Sequence, residues 1–263
     1  MAVKKIADVL KNGQGFIGFT VAGDPNFDQS ADYIVAMAEA GADVVEIGIA
    51  FSDPAADGPT IMAADIRAAA AGSTTEKVFA LIAAVRERTD VPLVILTYVN
   101  PVFKYGYEKF LSKMAALSVE GIILPDMPLE EQASFLELAN QYDRSLIQLV
   151  TLQSKARIPD IVAQARGFVY IVSSLGTTGT RAELTTASRE LVAAVREYTD
   201  VPTAIGFGIS RPDQVPQFAY ADAVIAGSAI VDLIAADPNG ATGAIKTFVQ
   251  DMKAAWQNTS NNA

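Results

Sequence analysis

The sequence predicts an α/β protein in which eight parallel strands, each followed by helix, close into one barrel. Three observations carry this. Short apolar, β-branched runs of strand length recur eight times along the 263 residues. Helical periodicity fills the intervals, and strand alternating with helix gives a parallel sheet. The connector Ala83-Ala84-Val85-Arg86-Glu87-Arg88-Thr89-Asp90-Val91-Pro92 returns as Ala193-Ala194-Val195-Arg196-Glu197-Tyr198-Thr199-Asp200-Val201-Pro202, differing only at Arg88 and Tyr198. The copies enter the third and seventh strands, a spacing that fits two half-barrels. A common connector used twice gives the same pattern, so the strand count carries more weight.

In chain order, residues 1–10 read as an amphipathic N-terminal helix, because Asp8 interrupts the apolar residues a signal peptide would need. Strands are expected at 15–20, 44–49, 93–97, 121–124, 146–150, 168–172, 203–207 and 223–226. Helices are expected at 28–40, then a pair at 60–71 and 74–88 after the second strand. Further helices follow at 107–117, 130–141, 158–165, 188–198 and 211–218, with two more, 229–235 and one ending near Trp256, after the eighth strand. Ser73-x-x-Glu76 and Ser210-x-x-Asp213 both resemble a capping box, and Pro128 with Glu130 and Glu131 marks another first turn. No linker divides the chain, so 1–256 is expected to be one domain and 257–263 a fraying tail.

Composition narrows the function. Half the residues are hydrophobic, enough for a large core, yet no apolar run approaches the ~20 residues of a membrane span. A cytoplasmic location is the default expectation. The chain has no cysteine and no histidine, which removes thiol nucleophiles, Ser-His relays and zinc sites built on imidazole or thiolate. Acid-base work then falls to carboxylates, Tyr or Lys. A net charge of -10 argues against nucleic acid and anionic membranes as partners.

The stretch 44–59 places Glu46 inside an apolar strand and Asp53 and Asp57 on the loop at its carboxyl end, where barrels carry their chemistry. A charge buried unpaired costs several kcal/mol. Two readings stay open from spacing alone: the carboxylates divide acid and base roles, or Glu46 pairs with a neighbour and the aspartates form turns. After the seventh strand comes Gly206-Phe207-Gly208-Ile209-Ser210, and after the eighth Ala226-Gly227-Ser228-Ala229-Ile230, each leading into a helix. Glycines and a helix N-terminus can hold a phosphate on backbone N–H groups, with Ser228 as cap and ligand; tight turns are the alternative. The Gly/Thr-rich segment 174–183 is either a mobile lid or a plain loop, and Tyr170 either points into the upper barrel layer as a site residue or is a core tyrosine.

Taken in order, residues 46–59, Ala22-Gly23-Asp24-Pro25, Thr97-Tyr98-Val99-Asn100-Pro101, Pro125-Asp126-Met127-Pro128, Gly206 to Ser210 and Gly227-Ser228-Ala229-Ile230-Val231 closely resemble the tryptophan synthase alpha subunit family. The resemblance implies a (βα)8 TIM barrel that cleaves indole-3-glycerol phosphate to indole and glyceraldehyde 3-phosphate. It implies that indole passes to a β subunit carrying pyridoxal phosphate, within an α2β2 complex, with no cofactor or metal in this chain. On matching positions, Glu46 is the catalytic acid-base and Asp57 the carboxylate that holds the indole N–H. Gly179, Gly206, Gly208, Gly227 and Ser228 match the phosphate site, and Phe19, Tyr170 and Phe207 the substrate pocket. Thr178 matches the residue that bonds to Asp57 on closure, and Asp53, Asn100 and Pro101 match the face that meets the β subunit. Ala50, Ser174, Thr177, Gly18 and Val21 depart from the family's usual residues, but none touches Glu46 or Asp57.

Composition is consistent with such a cleavage. Reversing an aldol needs an electron sink: a lysine Schiff base, a metal, or the substrate itself. No expected strand contains lysine, and the lack of histidine argues against a zinc aldolase site. An indole protonated at its side-chain-bearing carbon is its own sink, with the developing charge on the ring nitrogen beside a carboxylate. A phosphoribosyl isomerase would share the loops after strands seven and eight, and a non-catalytic regulatory subunit is the remaining alternative.

Overall fold

A computed structural model describes residues 3–172, 181–206 and 208–257, with backbone alone at 181–184 and 257. Helix α1 (Ile6–Leu10) leads into β1 (Gly15–Val21), α2 (Phe27–Glu39), β2 (Val44–Gly48), α3 (Pro59–Ala70), α4 (Thr75–Arg86) and β3 (Leu93–Leu96). Then follow α5 (Val99–Tyr105), α6 (Tyr107–Ala116), β4 (Val119–Ile123), α7 (Ala133–Gln141), β5 (Ser145–Leu146), β6 (Gln148–Val150), α8 (Ile158–Val162) and β7 (Val169–Val172). The chain ends through α9 (Arg181–Arg196), β8 (Thr203–Gly206), β9 (Ala223–Ala226), α10 (Ser228–Ala236) and α11 (Thr242–Gln257).

All strand pairs are parallel, in the order β5-β4-β3-β2-β1-β9-β8-β7-β6. Because β5 and β6 are successive pieces of one strand broken at Ile147, this order returns to its starting point, and the sheet is an eight-stranded (βα)8 barrel of the TIM type. Alternate residues divide between two cores. Ile17, Val44, Val94, Ile123, Ile147, Phe168, Ala204 and Ala223 fill the barrel, whose lower end is closed by Ile6 and Leu10 of α1. Phe16, Val45, Ile47, Ile95, Ile122, Val169 and Ile205 pack outward against the helices. Burial on both faces is why these strands read as almost unbroken apolar runs. At the end of the chain, α11 docks back on β1, where Trp256 Nε1 donates to Gly15 O at 3.1 Å.

Several local expectations change. The fifth strand is split rather than continuous. The expected helix at 211–218 is a 3-10 helix, Pro212–Phe218, because Pro216 inside it has no N–H to donate. The expected helix at 130–141 begins as a 3-10 turn, Leu129–Glu131, and becomes α-helical at Ala133. Thr74, not Ser73, caps α4, accepting from Lys77 N–H at 3.3 Å, while Ser73 Oγ turns to Ala22 O. At the second expected box, Gln214 Oε1 accepts from the N–H groups of Ser210 and Arg211 at 2.9 and 2.8 Å. No single helix among the described residues is long and apolar enough to cross a membrane.

Candidate active site

Glu46 shares strand parity with Val44, which lies in the inner core, so its side chain enters the barrel. Its neighbours in register are Phe19 on β1 and Val94 on β3. It is 1% exposed, and Oε2 has no hydrogen-bond partner among the described residues. Burial, with the Asp57 charge second, pushes its carboxyl up to about 8. At neutral pH Glu46 therefore holds a proton.

Asp57 sits half-buried on the loop from β2 to α3. Its Oδ2 accepts from the Tyr98 hydroxyl at 2.8 Å, and that hydroxyl accepts from Ala56 N–H at 2.9 Å. The Tyr98 ring stacks on Phe51 with centroids 5.1 Å apart, so one tyrosine pins the acidic loop at three points. Burial raises the Asp57 carboxyl while the Tyr98 hydrogen bond lowers it. A third acid, Asp65 on α3, is 7% exposed; burial, then the charges of Asp57 and Asp24, raise it to about 7. Asp24 is itself fully buried and held by Arg67 through two hydrogen bonds of 2.7 Å.

Glu46 and Asp57 face a cavity of about 340 Å³ together with Phe19, Tyr170, Gly208, Gly227 and Ser228. Tyr170 on β7 is raised well above its usual value by burial and by the charges of Glu46 and Asp57, and stays neutral. Gly208 has φ +80°, open to glycine at little cost, and a Cβ there meets no atom of the described residues within 4 Å. At Gly227 a Cβ would stand 3.1 Å from the Phe19 ring. Gly227, not Ser228, is the N-cap of α10; Ser228 is the first helical residue, and the free first-turn amides belong to this end of the helix. Gly206 does not line the cavity; it lies under Tyr170, whose ring a Cβ would overlap.

Asp57, Leu96 and Tyr170 also border a second cavity of about 690 Å³, which runs from Ile123 and Leu149 toward Gln132 and Gln148. Asp53 and Asn100 are exposed and Pro101 half-buried on the outer rim, Asp53 bonded to Ser52 Oγ at 2.5 Å and the other two opening α5 beside the exposed Phe103. Ser174, Thr177, Thr178, Gly179 and Phe207, including most of the expected lid, lie outside the described residues.

Sequence reading missed Tyr98, Asp65 and Gln148 as site residues. Gln148 carried the same signal as Glu46, a polar residue inside an apolar strand. Asp126, quoted only as part of a motif, accepts from Val99 N–H at 2.9 Å and so fixes the start of α5 from the neighbouring loop.

Comparison with known proteins converges on one family. The family described as tryptophan synthase alpha chain matches residues 6–259. The alpha chains of Lacticaseibacillus casei and Lactiplantibacillus plantarum are each 49% identical, over 97% and 95% of this chain and 96% and 95% of their own lengths. Mycobacterium tuberculosis tryptophan synthase superposes with a TM-score of 0.87 at 30% identity, over 97% of this chain and 98% of that one. A chain of the tryptophan synthase α2β2 complex of Pyrococcus furiosus gives 0.85 at 31%, over 92% and 98%. These likenesses lend no support to a phosphoribosyl isomerase. With sequence, barrel and relatives in agreement, the chain belongs to the tryptophan synthase alpha chain family.

Proposed function

We propose that this chain is a carbon-carbon lyase that cleaves indole-3-glycerol phosphate to indole and glyceraldehyde 3-phosphate, with Glu46 as acid and base and Asp57 as the partner of the ring N–H. The observation that carries this is Glu46 itself: a protonated carboxyl, buried in the barrel, with an oxygen free of partners among the described residues and a second carboxylate across the same cavity. Glu46 donates its proton to the ring carbon that bears the side chain, and positive charge develops on the ring nitrogen beside Asp57. The carboxylate so formed takes the proton of the adjacent hydroxyl. The hydroxyl becomes the aldehyde, the carbon-carbon bond breaks, and its electron pair restores the aromatic ring. Tyr98 keeps Asp57 aimed at the nitrogen through its 2.8 Å hydrogen bond. The glycine turn at Gly208 and the start of α10 at Gly227 and Ser228 hold the phosphate on backbone N–H groups, which suits a chain of net charge -10 with no lysine among the described residues of this mouth.

The P. furiosus relative belongs to an α2β2 complex. By the same reading this chain docks on a β subunit through the rim at Asp53, Asn100 and Pro101 and delivers indole to pyridoxal phosphate held by that partner. The test is indole release from indole-3-glycerol phosphate, with and without a β subunit, for wild type, Glu46→Gln and Asp57→Asn. Wild-type turnover that falls by about 10²–10⁴ in each variant supports the roles. No indole from the wild-type complex refutes the reaction.

A further inference from the structure

The fifth barrel strand is divided between two neighbours. Ser145 and Leu146 of β5 pair with Gly121 and Ile122 of β4, whereas Gln148 to Val150 of β6 pair, among the described residues, with β7 alone. Beyond Ile147 the ends of β4 and β6 share no ladder among the described residues. The 690 Å³ cavity occupies this seam. It begins inside the barrel at Leu96, Ile123, Leu149 and Tyr170 and passes outward to Gln132 and Gln148, in the layer between sheet and helices. A closed ladder would wall off that layer; the split strand opens it.

Among the described residues, the outer end of the seam carries an unclaimed hydrogen-bond acceptor, and its identity is fixed by a chain of hydrogen bonds. Met127 O can only accept, so the group that meets it at 3.3 Å is Gln132 Nε2. Gln132 Oε1 then faces Gln148 and accepts from its Nε2 at 3.0 Å. That leaves Gln148 Oε1, on a side chain 1% exposed, accepting from no described residue and bordering the cavity. The neighbouring Ser154 hydroxyl is already used: it donates to Thr151 O at 3.0 Å and accepts from Thr151 N–H at 2.8 Å. The cavity thus offers an apolar passage that ends in a hydrogen-bond acceptor, and an acceptor inside a buried cavity favours a ligand group that donates to it.

We propose that this seam is a substituent pocket, in which Gln148 receives a hydroxyl or amino group carried on the benzo ring of an indole substrate. The inference rests on the proposed cleavage reaction, because Asp57 and Tyr170 border both cavities, whereas Glu46, Gly208, Gly227 and Ser228 border only the smaller one. A ring whose N–H meets Asp57 and whose phosphate chain leads toward Gly208 and Gly227 turns its carbocyclic edge to Leu96, Ile123 and Leu149, the entrance of the seam. Gln148 is a specificity residue in this account and takes no part in proton transfer.

The experiment compares indole-3-glycerol phosphates carrying a hydroxyl, or a methyl, at each benzo-ring position in turn, on the α–β complex of wild type, Gln148→Leu and the double variant Gln132→Leu/Gln148→Leu. The expected result is one ring position at which wild type prefers hydroxyl to methyl by about fivefold or more in kcat/KM, a preference lost or reversed in both variants. Dividing each value by that for the unsubstituted substrate removes any general effect of the substitution on folding or rate. The double variant removes both amides, so neither is left buried without its partner. Calorimetric binding of free hydroxyindoles and methylindoles to the wild-type and variant chains reads the pocket without turnover. Equal treatment of hydroxyl and methyl at every position, or a preference that survives loss of Gln148, overturns the inference. If the unsubstituted substrate is not cleaved at all, the proposed reaction fails, while the binding measurement still decides the pocket.

Discussion

Replacing Glu46 by Gln separates the two properties the barrel gives this carboxyl: a proton held at neutral pH, and a position from which to donate it. In an unfolded chain a glutamate titrates near 4.3; in the folded chain Glu46 is held at about 8 by burial. Below the lower value both states carry the proton and burial costs little. Between the two values the unfolded chain releases its proton and the folded chain keeps it, so stability falls as pH rises and levels off above about 8. At about 1.4 kcal/mol per decade, the loss across that window is on the order of 5 kcal/mol. An amide in place of the Glu46 carboxyl cannot ionise, so the variant lacks this slope, while Asp57 and Asp65 titrate in both proteins and largely cancel. Urea unfolding between pH 5 and 9 should therefore show the variant gaining on wild type steadily up to pH 8, whatever constant offset repacking adds. Indole release should fall by about 10²–10⁴ in the same protein. Parallel stability curves would show that Glu46 ionises at an ordinary value, and the account of it as a poised acid would be refuted.

Tyr98→Phe removes the hydroxyl that holds both Asp57 and Ala56; with one hydrogen bond to a charged group lost, kcat/KM should drop about tenfold, and unchanged steady-state kinetics would deny Tyr98 its positioning role. Gly208→Val forces a β-branched residue to φ +80° and sets its side chain over the turn; affinity for inorganic phosphate, read as competitive inhibition, should weaken more than tenfold while circular dichroism stays that of a folded barrel, and an unaltered inhibition constant would move the phosphate elsewhere. Arg67→Met leaves the fully buried Asp24 without its partner, so urea unfolding at pH 7 should show a loss of about 3 kcal/mol; a change under about 1 kcal/mol would mean the pair is not structural.

Much of this protein is legible in one dimension, because the information is local. Strand and helix periods, the count of eight, and the position of Glu46 in an apolar strand require only the alternation of side chains along a backbone. Motif spacing placed Glu46 inside the second strand and Asp57, Gly208, Gly227 and Ser228 beyond the carboxyl ends of strands, and the structure brings all five to one cavity. What tertiary structure decided is what depends on residues far apart in the chain. Tyr98 lies 41 residues from Asp57, and only the adjacency of β2 and β3 lets its hydroxyl reach that carboxylate. Gly206 reads in sequence only as part of a glycine turn, and the barrel adds a second demand, because its missing Cβ makes room for the Tyr170 ring on the neighbouring strand. The split of the fifth strand is invisible in Leu146-Ile147-Gln148-Leu149-Val150, because it arises from the competition of β4 and β7 for one partner around a closed ring. The raised carboxyls follow the same rule: a sequence shows that an acid sits in an apolar run, but the desolvation that holds its proton exists only when eight strands have closed around it.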